Sequence, residues 1–317
     1  MAPQFRIHSL KSKPRMTDMG ASIMHSRDIC ILVNPYAANA RALRLLPRVE
    51  QAMRSIPLNY RLVIPSDVQQ AKQAARHAAG AGECVAVFGG DGTIRIVAQE
   101  LAQCNGILAV LPAGRGNDFA RMLNYPLNPV AACQVLAAGK ESAIDMGIVN
   151  RLPFLTICSL GLDAAVSDLA NRIHFINGPA VYLIAGLCVL PRWKPMQFEV
   201  NIDGHEFVHH GHSIAVANSQ YYGGGMKLAP NASVMDGMLD VVLIGMVSRF
   251  RLLLNLPRLY KGTHILEEGV KIIRGRHIRI RTLNESQIFA DGDALGYSPA
   301  NISVRPGALR VLLPVIS

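Results

Sequence analysis

Between Glu83 and Arg121 the chain reads ECVAVFGGDGTIRIVAQELAQCNGILAVLPAGRGNDFAR. Cys84, Val85, Ala86, Val87 and Phe88 form an apolar run of the length and composition of a buried strand. Gly89, Gly90, Asp91, Gly92 and Thr93 follow. Ile94, Val97, Ala98 and Leu101 then recur at helical spacing. A second apolar run, Ile107 to Leu111, ends in Pro112-Ala113-Gly114-Arg115-Gly116-Asn117-Asp118. Strand, glycine loop, helix, strand, glycine loop is a pattern few architectures accommodate. Glycine removes the Cβ and permits φ > 0, so backbone N–H groups can approach a ligand closely. A helix N-terminus adds aligned donors that suit phosphate. Asp91 inside such a loop is a candidate for holding Mg²⁺ against nucleotide phosphates. Helix capping by Asp91 and Thr93 is the alternative the residues alone leave open.

The flanking segments extend the pattern. Ile29 to Val33 reads as a strand ending in Asn34-Pro35, and Arg41 to Met53 as a helix with Leu45, Leu46, Val49 and Met53 inward. Pro47 should kink that helix or mark its start. Tyr60 to Ile64 is the next strand, Asp67 to Ala79 the next helix. Such alternation predicts a doubly wound, Rossmann-like α/β domain, whose ligands bind beyond the strands' C-terminal ends. Asn34, Ser66 and both glycine loops lie at those ends. Gly139 to Gly147 looks like a boundary. Beyond it Phe154 to Ser159, Met196 to Ile202, His205 to Ala217, Leu239 to Ile244 and His277 to Thr282 read as successive strands, which predicts an antiparallel β-sandwich. Ala164 to Leu190 is the helical exception. Its apolar run Val181 to Leu190 is far shorter than the ~20 residues that span a bilayer.

The two glycine loops together resemble the diacylglycerol kinase catalytic family, which includes bacterial lipid kinases and sphingosine kinases and belongs to a superfamily with NAD kinases and 6-phosphofructokinases. Two further blocks carry the same resemblance: NSQYYGGGMKLAPNASVMDGMLDVVLI (Asn218 to Ile244) and FADGDALGYSPANISVRPGALRVLLP, which holds Asp291-Gly292-Asp293. The resemblance implies an ATP site made of Asn34, Pro35, Ser66 (in place of the family's threonine), Gly89, Gly90, Asp91, Gly92, Thr93, Arg95, Gly114, Arg115 and Asn117. It implies a structural Mg²⁺ held by Asp236 and by the carbonyls of Ser233 and Met238. It implies catalysis by Asp91 and by Asp291 or Asp293, one of which accepts the proton of a lipid hydroxyl in a cleft between the domains. This chain departs from the family at three places. Ala37-Ala38 replaces Ser-Gly, Arg95-Ile96 replaces Asn-Glu, and Arg115 replaces threonine; arginine can grip phosphate instead.

The implied organisation is a basic extension over residues 1–27, a nucleotide-binding domain over 28–143 to which 308–317 returns as a strand, and a lipid-binding sandwich over 144–307. Residues 1–27 lack the apolar core of a secretory signal. Only 17% of the 317 residues are charged, yet the net charge is +10, which favours anionic partners. Nucleic acid is disfavoured, because helix-turn-helix, zinc-finger and RNP patterns are missing. Six cysteines without a CxxC pair read as reduced thiols. The expected activity is therefore an ATP-dependent lipid kinase, cytoplasmic and peripheral at the inner face of an anionic membrane, with homodimerisation left open. The alternatives are an NAD kinase-like enzyme and a nucleotide-responsive membrane-binding regulator without turnover. Arg249 to Lys261 mixes basic and apolar residues and suits either a membrane surface or a helix packed on the second domain.

Overall fold

The computed structural model describes residues 8–10, 27–173 and 180–315, so most of the basic extension lies outside the described residues. The chain forms two compact units, one running to Ala143 and resuming at Leu309, the other Ile144–Ala308. The first is α/β and the second is β-rich, the fold class the sequence predicts.

In the first unit β1 (His8–Leu10) pairs antiparallel with β3 (Tyr60–Val63) at the edge of a parallel sheet. β2 (Ile29–Val33) lies between β3 and β4 (Cys84–Gly89), and β5 (Ile107–Pro112) follows β4. β2 and β4 are buried along their whole length, as expected for strands covered on both faces. α1 (Arg41–Arg54) packs with α5 (Pro129–Ala138), and α2 (Val68–Gly80) with α3 (Asp91–Gln103). A short α4 (Asp118–Met122) lies between β5 and α5. α1 runs through Pro47 without a break and buries Ala42, Val49 and Met53. Arg310 and Val311, near the chain's end, pair parallel with Ile107 and Leu108.

The strands of the second unit pair antiparallel. β6 (Lys140–Val149), which begins in the first unit, meets β7 (Leu152–Phe154) in a hairpin. β8 (Ile157–Gly161) leads into α6 (Leu162–Arg172), and α7 (Ala180–Val189) precedes β9 (Met196–Ile202). β10 (His205–Ala217) pairs first with β9 and then with β8. The small hairpin of β11 (Tyr221–Tyr222) and β12 (Met226–Lys227) is followed by β13 (Leu239–Gly245) and α8 (Arg249–Lys261). β14 (Val270–Gly275), β15 (His277–Thr282), β16 (Gln287–Ala290), β17 (Asp293–Tyr297) and β18 (Ala300–Leu313) complete the chain. Phe154, Phe198, Ile214, Val241, Ile280 and Ile288 lie in one buried apolar cluster.

Three local expectations change. The strand predicted over Phe154 to Ser159 is split, because the N–H groups of Leu155 and Thr156 point to a side chain, Asp291, instead of the ladder. In a regular strand His210 and His212 would share a face, but the β10 register shifts between Gly211 and Ser213, leaving His210 exposed and His212 buried. The helix begins at Asp91 with Gly90 as its cap, so Asp91, Gly92 and Thr93 are its first turn rather than a loop. All six cysteines are free thiols; Cys104 and Cys188 are exposed.

The turn before α1 is strained. Ala38, Asn39 and Ala40 have φ of 45°, 57° and 60°, the left-handed region, which costs a residue with a Cβ about 1–2 kcal/mol. Glycine at position 38 should remove that cost and give back part of it as unfolded-chain entropy. Ala38→Gly is therefore expected to raise the unfolding free energy by about 0.5–1 kcal/mol in a denaturant titration.

Candidate functional site

In the order β3-β2-β4-β5 all strands run parallel, but successive strands are added on opposite sides of the gap between β2 and β4, and open α/β sheets bind ligands at that place. Asn34 follows β2 there, and Gly90 follows β4. Asn34 bridges the gap: its Nδ2 donates to Thr93 Oγ1 at 2.6 Å and its Oδ1 accepts the Tyr36 N–H at 2.9 Å. The two glycine loops touch backbone to backbone. A Cβ on Gly114 would come within 2.5 Å of the Gly90 Cα, so neither position tolerates a side chain. Asn117, at φ 54°, pins the second loop by accepting the Gly114 N–H at 2.7 Å and donating to the Gly114 carbonyl at 3.1 Å.

Asp91 ties these pieces together. Its Oδ1 accepts the Phe119 N–H at 3.0 Å. Burial pushes its carboxyl above the usual range, against the pull of the Phe119, Asp118 and Asn117 N–H groups. The residue does not stand in a solvent-facing turn; its oxygens face the backbone of the next loop. That donor set does not fit a direct ligand of Mg²⁺. Gly90 gives α3 no side-chain cap, so its N-terminus is open to an anion. Arg95 and Arg115 are half-buried in the first turn of α3 and in the second loop, and Arg41 donates to the Gly114 carbonyl at 3.4 Å. Pro35 follows Asn34 directly. Ser66 is engaged in its own helix cap, where its hydroxyl donates to Asp67 at 2.9 Å.

In the second unit the acids divide by what they hold. Asp291, at φ 51°, accepts the N–H groups of Leu155 and Thr156 at 2.7 Å each and the Thr156 hydroxyl at 2.5 Å. Its lone pairs are committed to fixing the turn. Asp293 opens β17, half-buried, with Gly292 before it held by the Asn171 side chain at 2.6 Å. Asp236 accepts the Met238 N–H at 3.1 Å and an ion pair from Arg274, while Ser233 accepts the Met235 N–H through its hydroxyl at 3.3 Å. With a guanidinium on one oxygen and an N–H on the other, the carboxylate does not fit Mg²⁺ as it stands. Among the described residues, no group of three or more His, Cys, Asp or Glu side chains could hold a metal ion.

Sequence reasoning missed three residues here. Asp145 is buried and accepts the Gly237 N–H at 2.7 Å and the Gly307 N–H at 2.8 Å. Asn218 is buried and donates to the carbonyls of Asp145 and Leu155 at 3.0 and 2.9 Å. A lone acid among the apolar residues of Ile144 to Val149 was the available signal for the first. The third is Asp163. It lines an apolar cavity of about 110 Å³ with Leu162, Tyr182, Leu190, Tyr222 and Leu256. Burial pushes its carboxyl up to about 6, against the Ser213 hydroxyl, which donates to Oδ2 at 3.0 Å.

Residues 28–149 match the model of the diacylglycerol kinase catalytic domain, and residues 156–313 that of the YegS C-terminal NAD kinase beta sandwich-like domain. A diacylglycerol kinase of Mycobacterium tuberculosis is 32% identical over 296 residues, which cover 90% of this chain and 95% of that protein. A probable lipid kinase YegS-like protein of Pseudomonas aeruginosa is 32% identical over 77% of this chain and 81% of its own length. A crystal structure described as a diacylglycerol kinase from Bacillus anthracis superposes with a TM-score of 0.73 at 20% identity, over 91% of this chain and 97% of that one, and so shares the fold.

Asp163 offers a pH test. Its pKa rises from 3.8 in the unfolded chain to about 6 in the fold, so ionisation costs the folded state more with every step of pH through that window. Relative to Asp163→Asn, the wild type should lose thermal stability as pH rises from 3.8 to about 6 and run parallel above it. Calorimetric Tm values of both proteins across that range check the sign.

Proposed function

The chain belongs to the diacylglycerol kinase catalytic family and is a lipid kinase, and from that premise we propose that it transfers the γ-phosphoryl group of ATP to the hydroxyl of a diacylglycerol-like lipid. One observation carries the nucleotide half of this reading. Two glycine loops locked together, beside the uncapped N-terminus of a 13-residue helix, stand at the point where the strand order reverses. Such a site presents backbone N–H groups and helix dipole to phosphate oxygens. Arg95 and Arg115 add the positive charge that a phosphoryl group in flight requires. Mg²⁺ in this reading enters with the nucleotide and neutralises charge on its phosphates, as it usually does when substrate oxygens and waters supply most of its shell. The lipid half rests on the second unit. Its apolar cavity suits a hydrocarbon chain, and the Asp163 carboxyl suits a hydrogen-bonding group on the lipid.

The proton then needs an acceptor. The lipid hydroxyl loses its proton as its oxygen bonds to the γ-phosphorus. The bond from that phosphorus to the bridging oxygen breaks, and ADP departs with that oxygen. Asp291 is occupied by three donors, which makes it the positioning residue of the turn. Asp293 is the base in this reading. It sits where the family has a glutamate, one methylene longer. The reaction would run on the cytoplasmic face of a membrane, where ATP is supplied. Among the described residues, no helix is long and apolar enough to cross one.

Assays with labelled ATP and mixed lipids, with mass analysis of the product, test the activity and name the lipid. Asp293→Asn should lower kcat by about 10²–10⁴-fold with ATP affinity near wild type, and Asp293→Glu should keep activity. Asp291→Asn should instead lose about 1–3 kcal/mol of stability, because it sets an amide against three hydrogen-bond donors. Wild-type turnover in Asp293→Asn would remove the base from this turn.

The clamp of the first unit makes a separate prediction. Asp91→Asn keeps the size of the side chain and weakens a charge-assisted bond to the Phe119 N–H. It should raise the KM for ATP about ten-fold, the effect of losing about 1.4 kcal/mol. The Mg²⁺ dependence of the rate should stay as in wild type. A loss of Mg²⁺ response in that variant would make Asp91 a metal ligand.

A further inference from the structure

α8 has two apolar faces. Leu252, Leu253, Leu256 and Leu259 turn inward and line the cavity of the second unit. Phe250 and Leu254, one helical turn apart, point the other way and are 69% and 59% exposed. No residue of this 13-residue helix is buried. α7 repeats the arrangement: Gly186 faces the cavity, while Ile184 and Leu187 are exposed on a helix with no charged residue. The two helices line the same cavity. The Arg249 guanidinium donates to the Pro191 and Trp193 carbonyls at 2.7 and 2.8 Å, tying the start of α8 to the turn after α7.

The charge carried by these two segments has one sign; the neighbouring acids include Asp163 and Asp168 of α6 and Glu267 and Glu268 after α8. Residues 180–194 and 246–264 contain no Asp or Glu, but hold Arg192, Lys194, Arg249, Arg251, Arg258 and Lys261. Glu267 pairs with Arg258. The remaining cations flank the apolar residues. Water does not favour such a surface: an exposed apolar side chain gains about 1.5–3 kcal/mol on full burial. Cations flanking the apolar stripe match the anionic headgroups of a bilayer, and the stripe matches its acyl boundary.

We propose that the outer faces of α7 and α8, with Phe250, Leu254, Leu187 and Ile184 at the centre, are the surface by which the protein docks on an anionic lipid bilayer. This rests on the lipid kinase reading, because a substrate resident in a bilayer must be met at its surface. Docking places the inner faces of the same two helices, and the cavity they line, next to the lipid phase.

The test is co-sedimentation with vesicles of phosphatidylcholine alone and of equal parts phosphatidylcholine and phosphatidylglycerol. Wild type should bind the mixed vesicles more tightly, and salt should weaken that binding. The double variant Phe250→Glu/Leu254→Glu should bind them at least about ten-fold more weakly with unchanged Tm. Val208→Glu, an exposed apolar position on β10, should bind like wild type. Turnover of a short-chain, monomeric lipid should be unchanged in the double variant, and turnover of vesicle-borne lipid should fall with binding. Equal binding by the double variant, or an equal loss in Val208→Glu, overturns the surface while leaving the kinase reading intact. Loss of self-association in the double variant, without loss of vesicle binding, would assign the face to a second copy and overturn it as well. Vesicle binding as described without phosphorylation of any lipid would retain the surface and sink the kinase reading.

Discussion

The Asp91 carboxylate, which accepts a hydrogen bond from the Phe119 N–H, holds the first unit's site together. It joins the first turn of α3 to the first turn of α4, and so joins the two loops that end β4 and β5. Parallel strands set those ends side by side, but loops made largely of glycine have little to keep them ordered. A charge-assisted bond in a buried place is stronger than one in water, and it lies across the contact where Gly90 and Gly114 allow no Cβ. The cost is visible in the carboxyl itself, which burial pushes up while the backbone N–H groups pull it down. In the proposed reading the charge at the phosphates would therefore come from elsewhere: the N-terminus of α3, Arg95, Arg115 and the cation that accompanies the nucleotide.

The second unit uses the same device twice. Asp145 gathers the N–H groups of Gly237 and Gly307, and Asp291 gathers those of Leu155 and Thr156. Each carboxylate fixes two segments distant in sequence, and Asn218 links the neighbourhoods through the Asp145 and Leu155 carbonyls. Acids spent on backbone donors are poorly placed to accept a proton or a metal. Asp293 and Asp163 differ in kind. One opens a strand beside the fixed turn, and the other sits in an apolar cavity with a hydroxyl for a partner. The chemistry proposed here is assigned to these two by their place, one in the turn that matches the family's acid pair and the other at the apolar cavity.

Much of this was legible in the sequence wherever one physical rule decided the outcome. Periodicity found Ile29–Val33, Met196–Ile202, His205–Ala217 and His277–Thr282 at their observed ends, since burial of a continuous face sets a strand. It failed where a distant side chain took over backbone donors. Nothing between Phe154 and Ser159 announces that Asp291, in a turn far along the chain, will claim two N–H groups and split the strand. The bulge at His212 is invisible for a similar reason, because register depends on both neighbours of β10. Site residues followed suit. The family resemblance pointed to Asn34, the glycine loops, Asp291 and Asp293, but not to what their side chains face. Asp145 and Asp163 belong to no glycine turn, and only the fold surrounds them with groups that give them a role.

The departures from the family pattern can now be weighed by structure rather than by residue type. Where relatives have Ser-Gly after Asn-Pro, this chain has Ala37-Ala38, yet the backbone still enters the left-handed region at Ala38, Asn39 and Ala40. Alanine pays about 1–2 kcal/mol for that conformation, and only a framework that over-determines the turn can enforce it. That framework is present on both sides. Asn34 holds the Tyr36 N–H and reaches across to Thr93, and Arg41 reaches Gly114 from the first residue of α1. The turn is therefore held in the left-handed region without a glycine, at a cost in strain. The arginines act in the opposite sense. Arg95 and Arg115 leave the loops in place and alter what they offer, setting guanidinium where the family has neutral polar side chains, while Ile96 removes a carboxylate. A strained turn held by its framework, beside loops that carry two added arginines, is what the proposed phosphate site would require.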